Sequence, residues 1–70
     1  MFTNLQTALF ITKLTQKEIA EMIRITPTSF SRKMQNKSDF NLSEMIQIQN
    51  IINTKSNKKY TLDYLFEKWL

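Results

Sequence analysis

Thr28, Ser29, Ser31 and Arg32 are the residues of this chain whose types and spacing could do chemistry, and that chemistry is recognition rather than catalysis. Steps of three and four residues return to nearly the same side of a helix, so Thr28, Ser31 and Arg32 gather on one face while Phe30 and Met34 share another. A guanidinium so placed can donate twice to guanine O6 and N7 in a major groove, and hydroxyls can reach bases or phosphates. A merely solvated face would use the same residue types, so the surrounding elements have to decide.

The residues that would support an enzyme are missing. The chain has no His, no Cys and no Gly, which removes imidazole and thiol catalysis, the usual zinc sites, disulfides and any glycine-rich phosphate loop. Glu18 with Glu21, and Asp63 with Glu67, are carboxylate pairs at helical spacing. Capping, dipole complementation and pairing with lysines account for them. No enzyme, metal, cofactor or small-molecule substrate is expected.

Two capped helices position the polar face. Thr15 and Glu18 form a capping box, so a helix starts at Gln16, with Leu14 and Ile19 spaced as a hydrophobic staple and Ile19, Ala20 and Ile23 as its apolar stripe. Thr26 caps a second helix with Pro27 at its first position, where the missing N–H costs nothing, and Ile25 with Phe30 repeats the staple. Only Arg24 to Thr26 separate the two, which forces a sharp corner. Between Lys13 and Lys37 lie six basic residues against Glu18 and Glu21, so this unit accounts for the whole net charge of +4. A surface that displaces counterions from phosphates has that character. The second basic cluster, Lys55, Lys58 and Lys59, reads as a solvated loop.

The remaining pattern is helical throughout. Thr3 or Asn4 can cap a first helix with Leu5, Ala8, Leu9 and Thr12 inward; Phe2, Phe10 and Ile11 fall off that stripe and serve either the core's edge or a partner surface. A loop from Gln35 to Asn41 leads to a fourth helix, capped by Asn41 with Glu44 or starting later at Ser43. Met45, Ile46, Ile48, Ile51 and Ile52 give it a broad apolar surface, and Asn53 to Lys59 has the composition of a loop. Thr61 caps a fifth helix with Leu62, Leu65, Phe66 and Trp69 along one side. The class is all-α, with residues 1–70 as a single domain of 70 residues, small enough that oligomerisation commonly supplements such a core. Apolar runs are too short for a signal peptide or membrane span, so a soluble, cytoplasmic chain without a membrane partner is expected.

Leu14, Thr15, Gln16, Glu18, Ile19 and Ala20, followed by Ile25-Thr26 and by Thr28 to Ser31, resemble the helix-turn-helix of the Cro-type and lambda-repressor-like phage regulators, also called XRE-like. That family's pattern runs Leu-Thr-Gln-x-Glu-Leu-Ala, then a corner Gly, then a Ser/Thr-led recognition helix. Lys37-Ser38-Asp39-Phe40, Leu42-Ser43-Glu44 and Leu62-Asp63-Tyr64-Leu65-Phe66 resemble the later helices of such proteins. Two positions depart: Arg24 stands where the corner Gly is usual, and Lys33 where an apolar residue is usual, which leaves the choice between Ser31 and Lys33 as a DNA contact open.

The resemblance implies a five-helix lambda-repressor-like domain acting as a sequence-specific, double-stranded-DNA-binding transcriptional regulator of a phage lysis–lysogeny switch in a bacterial cytoplasm. It implies a homodimer on a two-fold operator with half-sites about one helical turn apart, here through Phe66, Trp69 and Leu70. Thr28, Ser29 and Arg32 are the expected base contacts. Gln16 resembles the family glutamine that bonds a phosphate, with Lys17, Thr26, Ser31, Lys33 and Lys37 as further backbone contacts. The alternative is a modulator on the same scaffold that binds a second phage repressor. An antitoxin role is weaker, for want of a disordered toxin-wrapping tail.

Overall fold

The computed structural model describes residues 2–67, and the chain there forms α1 (Thr3–Thr12), α2 (Gln16–Met22), α3 (Pro27–Met34), α4 (Leu42–Ser56) and α5 (Leu62–Leu65), with no strand among the described residues. α1 packs on α4 and α5, α2 packs on α3, and α4 also meets α5. Leu5, Ile19, Phe30, Met34, Ile48, Ile52 and Leu65 are fully buried where these groups meet, so every helix contributes to one core. The radius of gyration of 10.8 Å is about that of a packed chain of this length.

Local chemistry sets the helix starts. Thr15, Thr26, Asn41 and Thr61 each accept the backbone N–H three residues on, and Glu18 and Glu44 return the bond to Thr15 and Asn41. Asn41, not Ser43, therefore opens α4. α1 departs from expectation. Its N-cap is Phe2, which makes no side-chain capping bond. Phe2 is held there by burial, its ring meeting Phe40 and Phe66 edge to face at 5.4 and 5.7 Å. Asn4, expected as a possible cap, instead donates its amide to the Tyr64 carbonyl at 2.9 Å and to Glu67 at 3.1 Å, tying α1 to the end of α5.

The ends of α1 to α4 share one device. Lys13, Arg24, Asn36 and Asn57 have φ of 60°, 65°, 63° and 55°, the left-handed conformation that closes a helix. Glycine would ordinarily take such positions; this chain has none. The Asn residues adopt the conformation readily, whereas Lys13 and Arg24 each incur about 1 kcal/mol.

α4 is longer than its composition suggests. Asn53 to Ser56, read above as loop, continue the helix, and the chain turns only at Asn57. Ile52 is fully buried, and Asn53 and Ser56 spend their polar groups locally, Asn53 on the Tyr60 backbone and Ser56 on the Ile52 carbonyl at 2.6 Å. Burial on one side and satisfied polar groups on the other outweigh weak helix propensity.

Phe66, expected at a dimer or partner interface, is half-buried. It packs against the core, with Phe40 5.3 Å away edge to face, because aromatic edges and faces attract and the cluster removes apolar area from water. Trp69 and Leu70, the other expected interface residues, lie outside the described residues.

Candidate nucleic-acid interface

α2 is fixed at its start by the Thr15 box, in which the Thr15 hydroxyl accepts from the Glu18 N–H and the Thr15 N–H donates to the Glu18 carboxylate, both at 3.0 Å. The Thr15 N–H foremost, then its hydroxyl and the more distant charge of Lys55, hold the Glu18 carboxyl below its ordinary value against a small opposing effect of burial. Ile19, Ala20 and Ile23 are buried. The corner then closes as a two-bond helix stop: Arg24 N–H donates to the Glu21 carbonyl at 3.2 Å and Ile25 N–H to the Ala20 carbonyl at 3.0 Å. Arg24 therefore carries out the turn that a glycine would make, with a left-handed backbone.

α3 follows at once. Thr26 accepts from the Ser29 N–H at 3.1 Å, Pro27 takes the first position, and Phe30 and Met34 are buried. At 100° per residue, the direction opposite Phe30 falls between Thr28 and Arg32. Both are exposed, and neither side chain makes a hydrogen bond or ion pair among the described residues. Ser29 and Ser31 lie half-buried on the two flanks, and the Ser31 hydroxyl accepts from Gln35 at 3.3 Å. α3 ends on the same kind of stop, the Lys37 N–H donating to the Arg32 carbonyl at 2.9 Å across left-handed Asn36. That bond fixes the exposed Lys37 just past the last turn of α3. Thr26 and Lys17 are exposed and Gln16 half-buried, the latter two in the first turn of α2.

Lys33 does not join this face. Its ammonium donates to both carboxylate oxygens of Glu44 at 2.6 and 2.7 Å, and the two side chains are only 14% and 10% exposed. It is thus committed inward and not offered to a phosphate, correcting its expected role as a backbone contact. Burial pushes the Glu44 carboxyl up, but the bond from Lys33, the Asn41 N–H and the Lys33 charge together outweigh it and hold the group below its ordinary value. Glu44 was legible only as a capping residue. Its second role depends on the start of α4 lying beside the end of α3, which no local signal in the sequence encodes.

The chain matches no family model, no curated protein and no solved structure.

Proposed function

We propose that this chain is a sequence-specific, double-stranded-DNA-binding transcriptional regulator, in which α2 and α3 act as a helix-turn-helix within a lambda-repressor-like domain and α3 is the recognition helix. The observation that carries the reading is the outward side of α3: Thr28 and Arg32 stand exposed opposite buried Phe30 and Met34, on a helix with a fixed start and a fixed end. In the groove Arg32 would address guanine, with Thr28 and Ser29 at neighbouring bases or the sugar edge. Gln16, Lys17, Thr26, Ser31 and Lys37 would hold phosphates and set the register. Regulation would be steric, with two copies seated over a promoter. Fluorescence anisotropy against DNA from the upstream region of the chain's own gene and against scrambled DNA, at several salt concentrations, tests it. Tight binding by the protein alone, with a steep salt slope and a large specificity ratio, is expected; sequence-blind weak binding would overturn it.

A second reading has its own observation. Phe10 is 83% exposed and Ile11 49%, side by side on a helix whose ten residues carry no charge. Such a surface fits a protein partner, which would be either the second copy of a dimer or a phage repressor that the chain modulates. Binding to DNA that changes only when that repressor is added would favour the modulator.

A further inference from the structure

Lys33 and Glu44 join the two elements whose relative setting matters most. Lys33 is the penultimate residue of α3, and Glu44 sits in the first turn of α4. The same carboxylate that holds Lys33 accepts the Asn41 N–H at 3.0 Å, while the Glu44 N–H donates to the Asn41 side chain at 2.8 Å. One buried anion thus completes the cap of α4 and grips the end of α3. The Lys33 ammonium also lies 6.0 Å from the centre of the Phe40 ring, and that ring meets Phe30 of α3 edge to face at 5.6 Å. α3 is held to the Phe40–Glu44 segment at two points around its circumference, Phe30 and Lys33, roughly 60° apart at 100° per residue.

A helix held at one point can roll about it; held at two, it cannot. A roll of α3 that released Lys33 would leave the Glu44 carboxylate sheltered without its cation, which is costly. It would also swing Thr28 and Arg32, which turn with the helix, away from the outward direction they now face. A single apolar side chain at position 33 would fill space but would leave this rotation less well determined, since packing is tolerant of small shifts where a two-bond ion pair is not.

We propose that the Lys33–Glu44 pair is a positioning device that sets the rotation of α3, so that Lys33 determines base preference without touching DNA. The inference rests on the reading of α3 as the DNA-recognition helix. It makes Glu44, an acidic residue off the recognition helix, a determinant of specificity, and it separates Lys33 from the other basic residues of the unit.

The test uses three full-length variants, Lys33→Met, Lys33→Arg and Glu44→Gln, with the duplex that the wild-type protein selects from a random library and a scrambled duplex of equal composition. Circular dichroism fixes a temperature at which all are folded, and Glu44→Gln keeps a side chain able to complete the α4 cap. Lys33→Met and Glu44→Gln are both expected to lower the specific-to-scrambled affinity ratio about tenfold, with the slope of log affinity against log salt unchanged, and Lys33→Arg is expected to restore most of the ratio. A Lys33→Met slope shallower by about 0.9 with the ratio preserved would instead make Lys33 a phosphate contact and overturn the proposal. So would a preserved ratio and slope in both variants, which would make the pair structural only. A wild-type protein that discriminates no duplex overturns the DNA reading and this inference with it; a discriminating wild type with indifferent variants overturns this inference alone.

Discussion

Asn53 and Tyr60 bond each other reciprocally: the Asn53 side-chain oxygen accepts the Tyr60 N–H at 2.9 Å, and its amide donates to the Tyr60 carbonyl at 3.1 Å. The amide of Gln49 reaches the same carbonyl at 3.0 Å. One side chain thereby satisfies the backbone of the residue that precedes the Thr61 cap, and the segment leading into α5 is fixed to α4. Asn53→Ala should cost about 1–3 kcal/mol, because two half-buried backbone groups lose a partner together, whereas Gln49→Ala, removing one of two donors to a shared acceptor, should cost about half as much. Urea unfolding midpoints at constant m-value check both.

That pairing also shows what the sequence could and could not disclose. Thr15 with Glu18, Thr26 with Pro27, Asn41 with Glu44, and Thr61 are helix starts readable from neighbours three residues apart, and the structure places the starts of α2 to α5 there. The inward stripe of α1, Leu5, Ala8, Leu9 and Thr12, is buried as its spacing requires. What escaped depends on residues distant in sequence. Asn53 looks like loop composition until Tyr60 is beside it, and Asn4 looks like a cap until Tyr64 and Glu67 are. Phe66 looks like a free aromatic until Phe2 and Phe40 close around it. At the candidate site the polar face of α3 was legible from periodicity, but the inward turn of Lys33 was not, since it needs Glu44 from the next helix.

Arg24 carries a left-handed backbone at the corner between α2 and α3, with φ of 65°. Arg24→Gly should stabilise the protein by about 1 kcal/mol, since glycine escapes the Cβ clash, offset in part by its greater freedom when unfolded. Arg24→Ala should bring no such gain, because alanine keeps the Cβ. For a chain of this size the glycine variant should melt about 4–8 °C higher for each kcal/mol gained, read by thermal circular dichroism.

Glu18 and Glu44 both have carboxyls held below the ordinary value of 4.5. A carboxyl whose pKa is lower folded than unfolded contributes stability that is fully present above the unfolded value and is lost as pH falls through the folded one. Stability should therefore be flat above about pH 5.5 and decline through the acid range below 4.5. Glu44→Gln should remove more of that decline than Glu18→Gln, because the Lys33 partner is sheltered while the Thr15 box is open to water. Added salt should leave the Glu44 contribution nearly intact, as sheltered pairs are screened little. Denaturant midpoints across this range, with and without salt, check the ordering.

Arg32 and Lys37 are joined by the Lys37 N–H bond to the Arg32 carbonyl, yet their side chains should do different things to DNA. Arg32 extends from the outermost line of α3, where a guanidinium can satisfy two acceptors of one guanine and of no other base. Lys37 lies beyond the helix end, where, on the proposed reading, an ammonium would meet the phosphate backbone of any sequence. Arg32→Ala should accordingly cost roughly 1–3 kcal/mol on the preferred duplex and little on a scrambled one, relaxing discrimination at one position. Lys37→Ala should weaken both duplexes alike and reduce the salt slope by about 1. Anisotropy titrations of both variants on both duplexes, repeated across salt, separate the two effects. An Arg32→Ala protein that kept its sequence preference while losing salt dependence would exchange the two roles, and would require α3 to be seated in the groove by a different face.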